Sequence, residues 1–452
     1  MFTLAAMVTL TAMGGEERLR WDIHPIEHLN LPGYLHTVAH AIAPDGAITG
    51  RDGSTNSSIG WHAFVWTASG GTVPCVDDQW ILSEGDAINS SHVVAGSVST
   101  CPQNGACSAA ATILNTSSSP QLLSPLIPEF LMIQTITETG HILFAQGIIG
   151  SFNINGFVSL PGGSVLPLPL PDSAWSITLA GMTEPEPTSG MVTIAGSAWA
   201  TPHRTPMIWR LAPDETVMSL ELPDAGEGGM IEAILADGII LGSIRIDGVD
   251  TPCSWSPIAY DYTLLTDSVE EIGYSSAKIG TIDGARAGQF MLGSERAIWH
   301  IGATGELTIV DAASLGLPAS DLKPTSYLPD GSLLIEALDL QIYSSTIGTW
   351  RLDTGFSLLT DRAFGAAVFE TAGPSTAIAG ADDGTLALNR YPNAWAALAI
   401  MPGDVDGSGA VTIDDLLAIL SLWGLCETPC LEDLDASGDL GVDDLLIVLS
   451  HL

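Results

Sequence analysis

Basic residues are the scarcest feature of this 452-residue sequence: 13 Lys and Arg stand against 52 Asp and Glu, a formal net charge of −39. Only Lys278 and Lys323 are lysines. Such a field repels phosphate backbones and anionic headgroups, so it excludes nucleic acid and membrane surfaces as natural partners and favours divalent cations. Long apolar runs are missing too. No stretch approaches the roughly 18 apolar residues of a membrane span, so no membrane insertion is expected. The short run from Phe2 to Met13, ending in small residues, fits a signal peptide over residues 1–15, although the usual basic n-region is missing. Catalytic motifs are equally scarce. There is no G-x-S-x-G elbow, no P-loop, and no G-x-G-x-x-G after a strand. His24, His28, His36, His40 and His62 gather near the start, but Pro25 interrupts HPIEH and the spacing is not that of H-E-x-x-H. They read as surface and inter-repeat histidines, and no catalytic residue is nominated.

Cysteine is sparse, with six in all. Cys101 and Cys107 flank the polar loop CPQNGAC, and Cys426 and Cys430 flank CETPC; local pairs in loops suit disulfides in an oxidising compartment. Neither pair has further ligands at zinc spacing. Cys75 and Cys253 are left over, either as buried small apolar residues or with Cys75 competing for a partner in the 101–107 loop.

What is abundant is turn chemistry and repetition. Gly 48 and Pro 27 accompany many short apolar runs, which points to turn-rich β structure. A hairpin signature, a turn followed by alternating apolar residues that end in glycine, recurs as AIAPDGAITG, AINSSHVVAG, TITETGHILFA, EPTSGMVTIAG, AILADGIILG, GARAGQFMLG, SYLPDGSLLIEA and TAGPSTAIAG. Its turns fall at residues 46, 91, 140, 190, 238, 288, 331 and 373. A tryptophan that ends a later strand follows several copies, at Trp66, Trp209, Trp255, Trp299 and Trp350. The fixed place of these tryptophans favours packing between repeats over a sugar platform. Four short strands in a repeat of some 42 to 50 residues is a propeller-blade pattern, and the period-two alternation excludes helical repeats. The expected fold is therefore mainly β: an eight-bladed β-propeller over 16–398, with seven blades as the alternative, and DIHPIEHL supplying the last strand that closes the ring. N-x-S/T sequons at Asn56, Asn89 and Asn115 predict surface loops.

At WHAFVW the chain resembles the bacterial extracellular HAF repeat, carried by His62, Ala63 and Phe64, and by AINSSHVVAG at 87–96, which matches the element that usually precedes the triplet in that family. The resemblance implies a secreted β-propeller and brings no established activity with it.

The last 54 residues, 399–452, change character. In GDVDGSGAVTIDD, Asp404, Asp406 and Ser408 take calcium-loop positions one, three and five. Gly409 makes the turn, the Ala410 carbonyl takes position seven, Thr412 nine and Asp415 twelve. Hard Ca²⁺ wants six to eight oxygens, and alternate residues of a tight loop aim them at one centre. The pattern returns 29 residues later with Asp433, Asp435, Ser437, the Asp439 carbonyl, Gly441 (through a water) and Asp444, and predicts two Ca²⁺ sites. Each loop runs into a leucine-rich helix. The first, over 413–423, carries an apolar face of Leu416, Leu417, Ile419, Leu420 and Trp423; the second repeats it with Leu445, Leu446, Val448 and Leu449.

Two loop–helix units without entering helices resemble a type I dockerin module. That resemblance implies metal-coupled folding and a cohesin-like or cell-surface protein as partner. Positions ten and eleven, commonly Ser or Thr in that family, are here Ile413 and Asp414, and Val442 and Asp443. The functional expectation is a secreted, non-catalytic binding and assembly protein, its propeller a ligand platform tethered through the calcium module. A polysaccharide-degrading propeller enzyme, delivered by the same module to a polysaccharide ligand, is the alternative.

Overall fold

The computed structural model of the protein describes residues 19–29, 36–53, 60–75, 82–100, 108–115, 118–124, 129–148, 153–200, 203–256, 259, 261–265, 275–280, 284–292, 295–318, 320–339, 344–364, 375–390, 392–401, 403–406, 408, 410–425, 432–434 and 439–452. The chain is mainly β, and its strands form a β-propeller. Four-stranded antiparallel meanders span 129–167, 174–221, 229–264, 275–310 and 320–358. Two more, 36–74 and 82–122, merge into one sheet through a parallel bridge between Trp61 and Leu82. The remaining propeller sheet draws on both ends of the fold. Strands Ser375–Gly380, Leu386–Arg390 and Asn393–Ala399 are completed by Trp21–Pro25, which runs antiparallel to Asn393–Ala399 with Ile23 opposite Ala397.

The first strand of every meander lies against the first strand of the next. In order these are His36–Ile42, Leu82–Ile88, Glu129–Ile136, Ala174–Met182, Gly229–Ile234, Ser275–Gly280, Ser320–Tyr327 and Ser375–Gly380, and the last lies against the first. A closed circuit of first strands makes them the inner wall. The reason is burial: a lone four-stranded sheet leaves an apolar face in water, whereas a ring covers each sheet with its neighbours. The buried clusters accordingly draw on adjacent meanders. Leu143, Val158 and Leu168 pack with Ile177, Ile194 and Trp209, and Ile208 and Leu222 pack with Ile231, Ile240 and Trp255. Trp66, Trp209, Trp255, Trp299 and Trp350 are all buried, and the indole N–H of Trp209 and of Trp255 donates to the carbonyls of Pro169 and Pro223. These rings are inter-sheet packing.

One irregularity repeats at the same place in each inner strand. The register against the second strand slips by one residue at His40, Asp86, Gln134, Ala180, Glu232, Lys278, Thr325 and Ile378, a β-bulge each time. The bulge explains the glycine that ends the sequence signature. A Cβ at Gly50, Gly96, Gly196 or Gly242 would collide with the carbonyl oxygen of Val38, Glu84, Thr178 or Met230, because the bulged strand bends toward its partner there.

The hairpin turns differ from the expected positions by more than one residue in two repeats. Positive-φ residues mark the turns at Gly46, His92, Gly140, Gly190, Gly238, Gly284, Gly331 and Gly384. Gly288 lies inside strand Arg286–Leu292, and STAIAG at 375–380 is a first strand, not the second strand of a hairpin turning at 373. Small residues in both segments satisfy either register, and packing chooses. Asn89 is a further correction. It opens an exposed hairpin turn, as expected, but its own side chain is buried, its amide donating to the Thr137 carbonyl while its oxygen accepts from Val93 N–H. Asn56 lies outside the described residues, as does the side chain of Asn115.

Placing a β-branched side chain at the bulge contact should be severe: Gly242→Val is expected to cost about 3 kcal/mol or more, read as a lowered denaturant midpoint. A second expectation concerns acid. His300 is buried, its Nδ1 2.8 Å from the Tyr327 hydroxyl and its ring edge-on to Trp350. Burial holds its pKa below the ordinary value, so the unfolded chain binds the proton more readily. The stability this contributes at neutral pH is lost as pH falls from about 6.5 down through the lowered value. His300→Phe should narrow the gap between denaturation midpoints at pH 7 and pH 5; an unchanged gap would place the acid sensitivity elsewhere.

Candidate functional site

Helix α1 (Ile413–Ser421) and helix α2 (Val442–His451) form the C-terminal unit, and at both an aspartate of the first turn accepts from the N–H of the cap residue. Thr412 is the N-cap of α1: its hydroxyl accepts from Asp414 N–H at 3.2 Å, while Asp415 Oδ2 accepts from Thr412 N–H at 2.7 Å, a capping box. At α2, Gly441 occupies the cap and Asp444 Oδ2 accepts from its N–H at 2.8 Å. The other oxygen of each aspartate reaches back into its loop. Asp415 Oδ1 accepts from Val405 N–H at 2.6 Å and Asp406 N–H at 3.1 Å, and Asp444 Oδ1 accepts from Leu434 N–H at 2.7 Å. One carboxylate per repeat therefore caps a helix and closes a loop.

Asp404, Asp406 and Asp415 converge, with one carboxylate oxygen of each within 4.8 Å of the others. Oxygens on opposite sides of a Ca²⁺ with bonds of about 2.4 Å stand about 4.8 Å apart, so the set is no wider than the span of one such ion. Asp404 and Asp415 are buried and Asp406 is exposed, which leaves an approach from solvent. Ser408 N–H donates to both Asp404 Oδ1 and Asp406 Oδ1 at 3.0 Å, and its hydroxyl donates to the Ala410 carbonyl at 3.1 Å, so loop positions one, three, five and seven are already drawn together. Burial raises the pKa of Asp415, but the N–H donors of Thr412, Asp406 and Val405 outweigh it, and the carboxyl sits below its ordinary range. It is held ready as an anion. The hydroxyl of Thr412 is engaged by the cap and by Asp415 Oδ2 at 3.3 Å. In the second loop, Asp433, Asp439, Gly441 and Asp444 are described, with Asp444 buried; Asp435 and Ser437 lie outside the described residues.

The core beneath the loops is small. Val405, Ile419, Leu434 and Val448 are its buried residues, two from each repeat at matching positions. The broad apolar helix faces expected from the sequence are not covered. Leu417, Leu420 and Trp423 on the first repeat, and Leu446 and Leu449 on the second, are each about half exposed. Helices of 9 and 10 residues offer one another a single row, so Ile419 and Val448 meet and the adjacent rows face water. The unit is joined to the ring by Arg20, buried just ahead of the closing strand Trp21–Pro25. Its Nη2 donates to the Asp404 carbonyl at 2.7 Å, and its own carbonyl accepts from Ile400 N–H.

Elsewhere, Cys75 and Cys253 are free and buried; burial pushes the Cys75 thiol up to about 12 and raises that of Cys253, so both are unreactive. Cys101, Cys107, Cys426 and Cys430 lie outside the described residues, as do residues 1–15. Among the described residues no helix is long and apolar enough to cross a membrane. The histidines hold a cluster that local spacing could not reveal. His28 Nδ1 contacts Asp52 Oδ1 at 2.8 Å and the Thr37 hydroxyl at 2.9 Å, while Asp52 Oδ2 accepts from Leu29 N–H. Both partners meet the same ring nitrogen, which suits anchoring of the N-terminal segment rather than a relay across the imidazole.

No protein family profile matches this chain, and no curated protein matches it significantly in sequence. Solved structures do resemble it in fold. The dipeptidyl peptidase 4 of Porphyromonas gingivalis superposes with a TM-score of 0.50 at 11% identity, over 81% of this chain and 58% of that one. A puromycin-hydrolyzing peptidase of Mycobacterium tuberculosis covers 84% of this chain and 59% of its own length, at 13% identity and a TM-score of 0.43. A putative TolB from Agrobacterium tumefaciens covers 53% of this chain and 84% of its own length, at 13% identity and a TM-score of 0.34. The chain thus spans less than two thirds of the peptidases it resembles. The first of these likenesses overturns the functional expectation drawn from the sequence. Neither the non-catalytic binding and assembly protein nor its polysaccharide-degrading alternative has a counterpart in the dipeptidyl peptidase 4 that superposes at a TM-score of 0.50. At such identities the likeness establishes a propeller fold alone.

Removing the Arg20 guanidinium should uncouple the two units. Arg20→Ala is expected to cost about 1.5–3 kcal/mol, the worth of a hydrogen bond to a charged group. It should also separate the melting of the C-terminal unit from that of the ring, read as two transitions by calorimetry.

Proposed function

We propose that this is a calcium-binding protein: an eight-bladed β-propeller carrying a two-site calcium unit over 399–452 that stabilises the closed ring. The observation that supports it most is the convergence of the Asp404, Asp406 and Asp415 carboxylates around a space one Ca²⁺ would span, with Asp415 held there by three backbone N–H groups. Without a cation, carboxylates this close repel one another, and a core of four buried side chains offers little to oppose them. Eight blades fit the circuit of eight bulged inner strands. On this reading the repeats are of HAF type and the C-terminal unit is dockerin-like. An exported protein in an oxidising, calcium-containing medium fits the charge of −39, the apolar N-terminal run and the paired cysteines 101/107 and 426/430.

Calcium would then act through linkage: at 100 times its Kd, binding stabilises the site it fills by about 2.7 kcal/mol. Arg20 places that effect beside the strand that closes the ring. Isothermal titration should find two calcium equivalents, reduced to one in Asp404→Ala. Chelation should open the C-terminal unit to proteolysis after residue 400. The reading would be abandoned if no calcium bound at millimolar concentration.

A further inference from the structure

Three donors meet on the inner wall of the ring at one junction between meanders. His40 sits at the bulge of His36–Ile42, Asp86 at the equivalent bulge of Leu82–Ile88, and Glu84 two residues before it. One ligand atom of each lies within 4.8 Å of the others, and their side chains are 22, 26 and 29% exposed, open enough to be reached from solvent. We propose that His40, Glu84 and Asp86 bind a divalent transition-metal ion of the zinc type.

Repeat symmetry argues against a packing role. A side chain needed for packing between blades recurs at its place in the repeat, as the tryptophans do. At the other bulges stand Gln134, Ala180, Glu232, Lys278, Thr325 and Ile378, and the residue matching Glu84 is Val38, Met132, Thr178, Met230, Ser276, Lys323 or Thr376. The His–Glu–Asp set occurs at a single junction. Bulges re-aim side chains, and here two of them turn an imidazole and a carboxylate toward each other.

The distances suit a metal better than a direct ion pair. His40 Nδ1 and Asp86 Oδ1 are 3.5 Å apart, long for a hydrogen bond. Two ligands bound tetrahedrally at about 2.1 Å stand about 3.4 Å apart. Arg51 pairs with Glu84 Oε1 and lies 4.6 Å over the Trp61 ring, which fixes the carboxylate from behind. One arginine against two carboxylates leaves a net charge of about −1 for a dication to neutralise. An imidazole with two carboxylates suits zinc rather than calcium, and three protein ligands leave a fourth position for water. His40 stands about one repeat from the two carboxylates in sequence, which is why a search for local zinc spacing passes over the set.

The test is a zinc titration of the full chain in excess calcium, so that the C-terminal loops are filled, with Co²⁺ replacing zinc to give a visible spectrum. One zinc equivalent is expected, with a tetrahedral cobalt spectrum. His40→Gln and Asp86→Asn should each weaken it by about tenfold or more. His92→Ala, which removes an exposed histidine paired with Asp45, should leave it unchanged. Asp404→Ala should leave it unchanged too, which separates this site from the calcium unit. Melting curves of each variant, taken without zinc, distinguish a lost ligand from a lost fold. Absence of zinc binding, or binding that survives both His40→Gln and Asp86→Asn in folded protein, would overturn the proposal.

Discussion

The structure depends on closing a circle. Each meander is a small sheet with two faces to cover, and only a ring gives every sheet two neighbours. Closure is made by Trp21–Pro25 pairing with Asn393–Ala399, which brings sequence-distant segments into one sheet. Trp21 is fully buried there, its indole N–H donating to the Gly384 carbonyl at 2.9 Å, in a cluster with Leu334, Ile347, Leu386 and Leu388. Every other sheet is made of contiguous chain. This one pays the entropy of a loop of several hundred residues, and the surrounding cluster and Arg20 are where that cost is offset.

Links between turns reinforce the circle on one face. Asp45 contacts His92 Nε2 at 2.9 Å, Ser90 N–H donates to Glu138, and Glu138 N–H donates to Glu184, so successive hairpins are tied side chain to backbone or side chain to side chain. His92 stands at a positive-φ position where other repeats carry glycine, and its imidazole reaches the preceding hairpin. Acidic side chains do most of this work. Their abundance serves the solvated surface and also supplies acceptors for the exposed N–H groups of tight turns.

The C-terminal unit applies a comparable economy at smaller scale. Asp415 and Asp444 each join the start of a helix to the end of a loop, so ordering one orders the other. The pairs Val405 with Leu434 and Ile419 with Val448 complete a core that neither repeat could build alone. Half-exposed leucines and Trp423 flank it because two short helices have too little surface to cover each other.

Much of this was legible in the sequence because it is local and periodic. Alternation of period two, a turn and a terminal glycine every 42 to 50 residues, and two acidic loops 29 residues apart determined a mainly β repeat fold, an inter-sheet role for the tryptophans and the loop residues Asp404, Asp406 and Asp415. Tertiary structure decided what depends on register and on distant neighbours. It moved two hairpin turns to Gly284 and Gly384, buried Asn89, and left Leu417 and Leu446 in water. It also set a bulge in every inner strand, which no alternation pattern records because the bulged residue breaks the pattern it would be read from. Through two of those bulges it brought His40, Glu84 and Asp86 together. Spacing along the chain carries the geometry of one loop or one hairpin, whereas the meeting of two repeats is set by how their sheets pack.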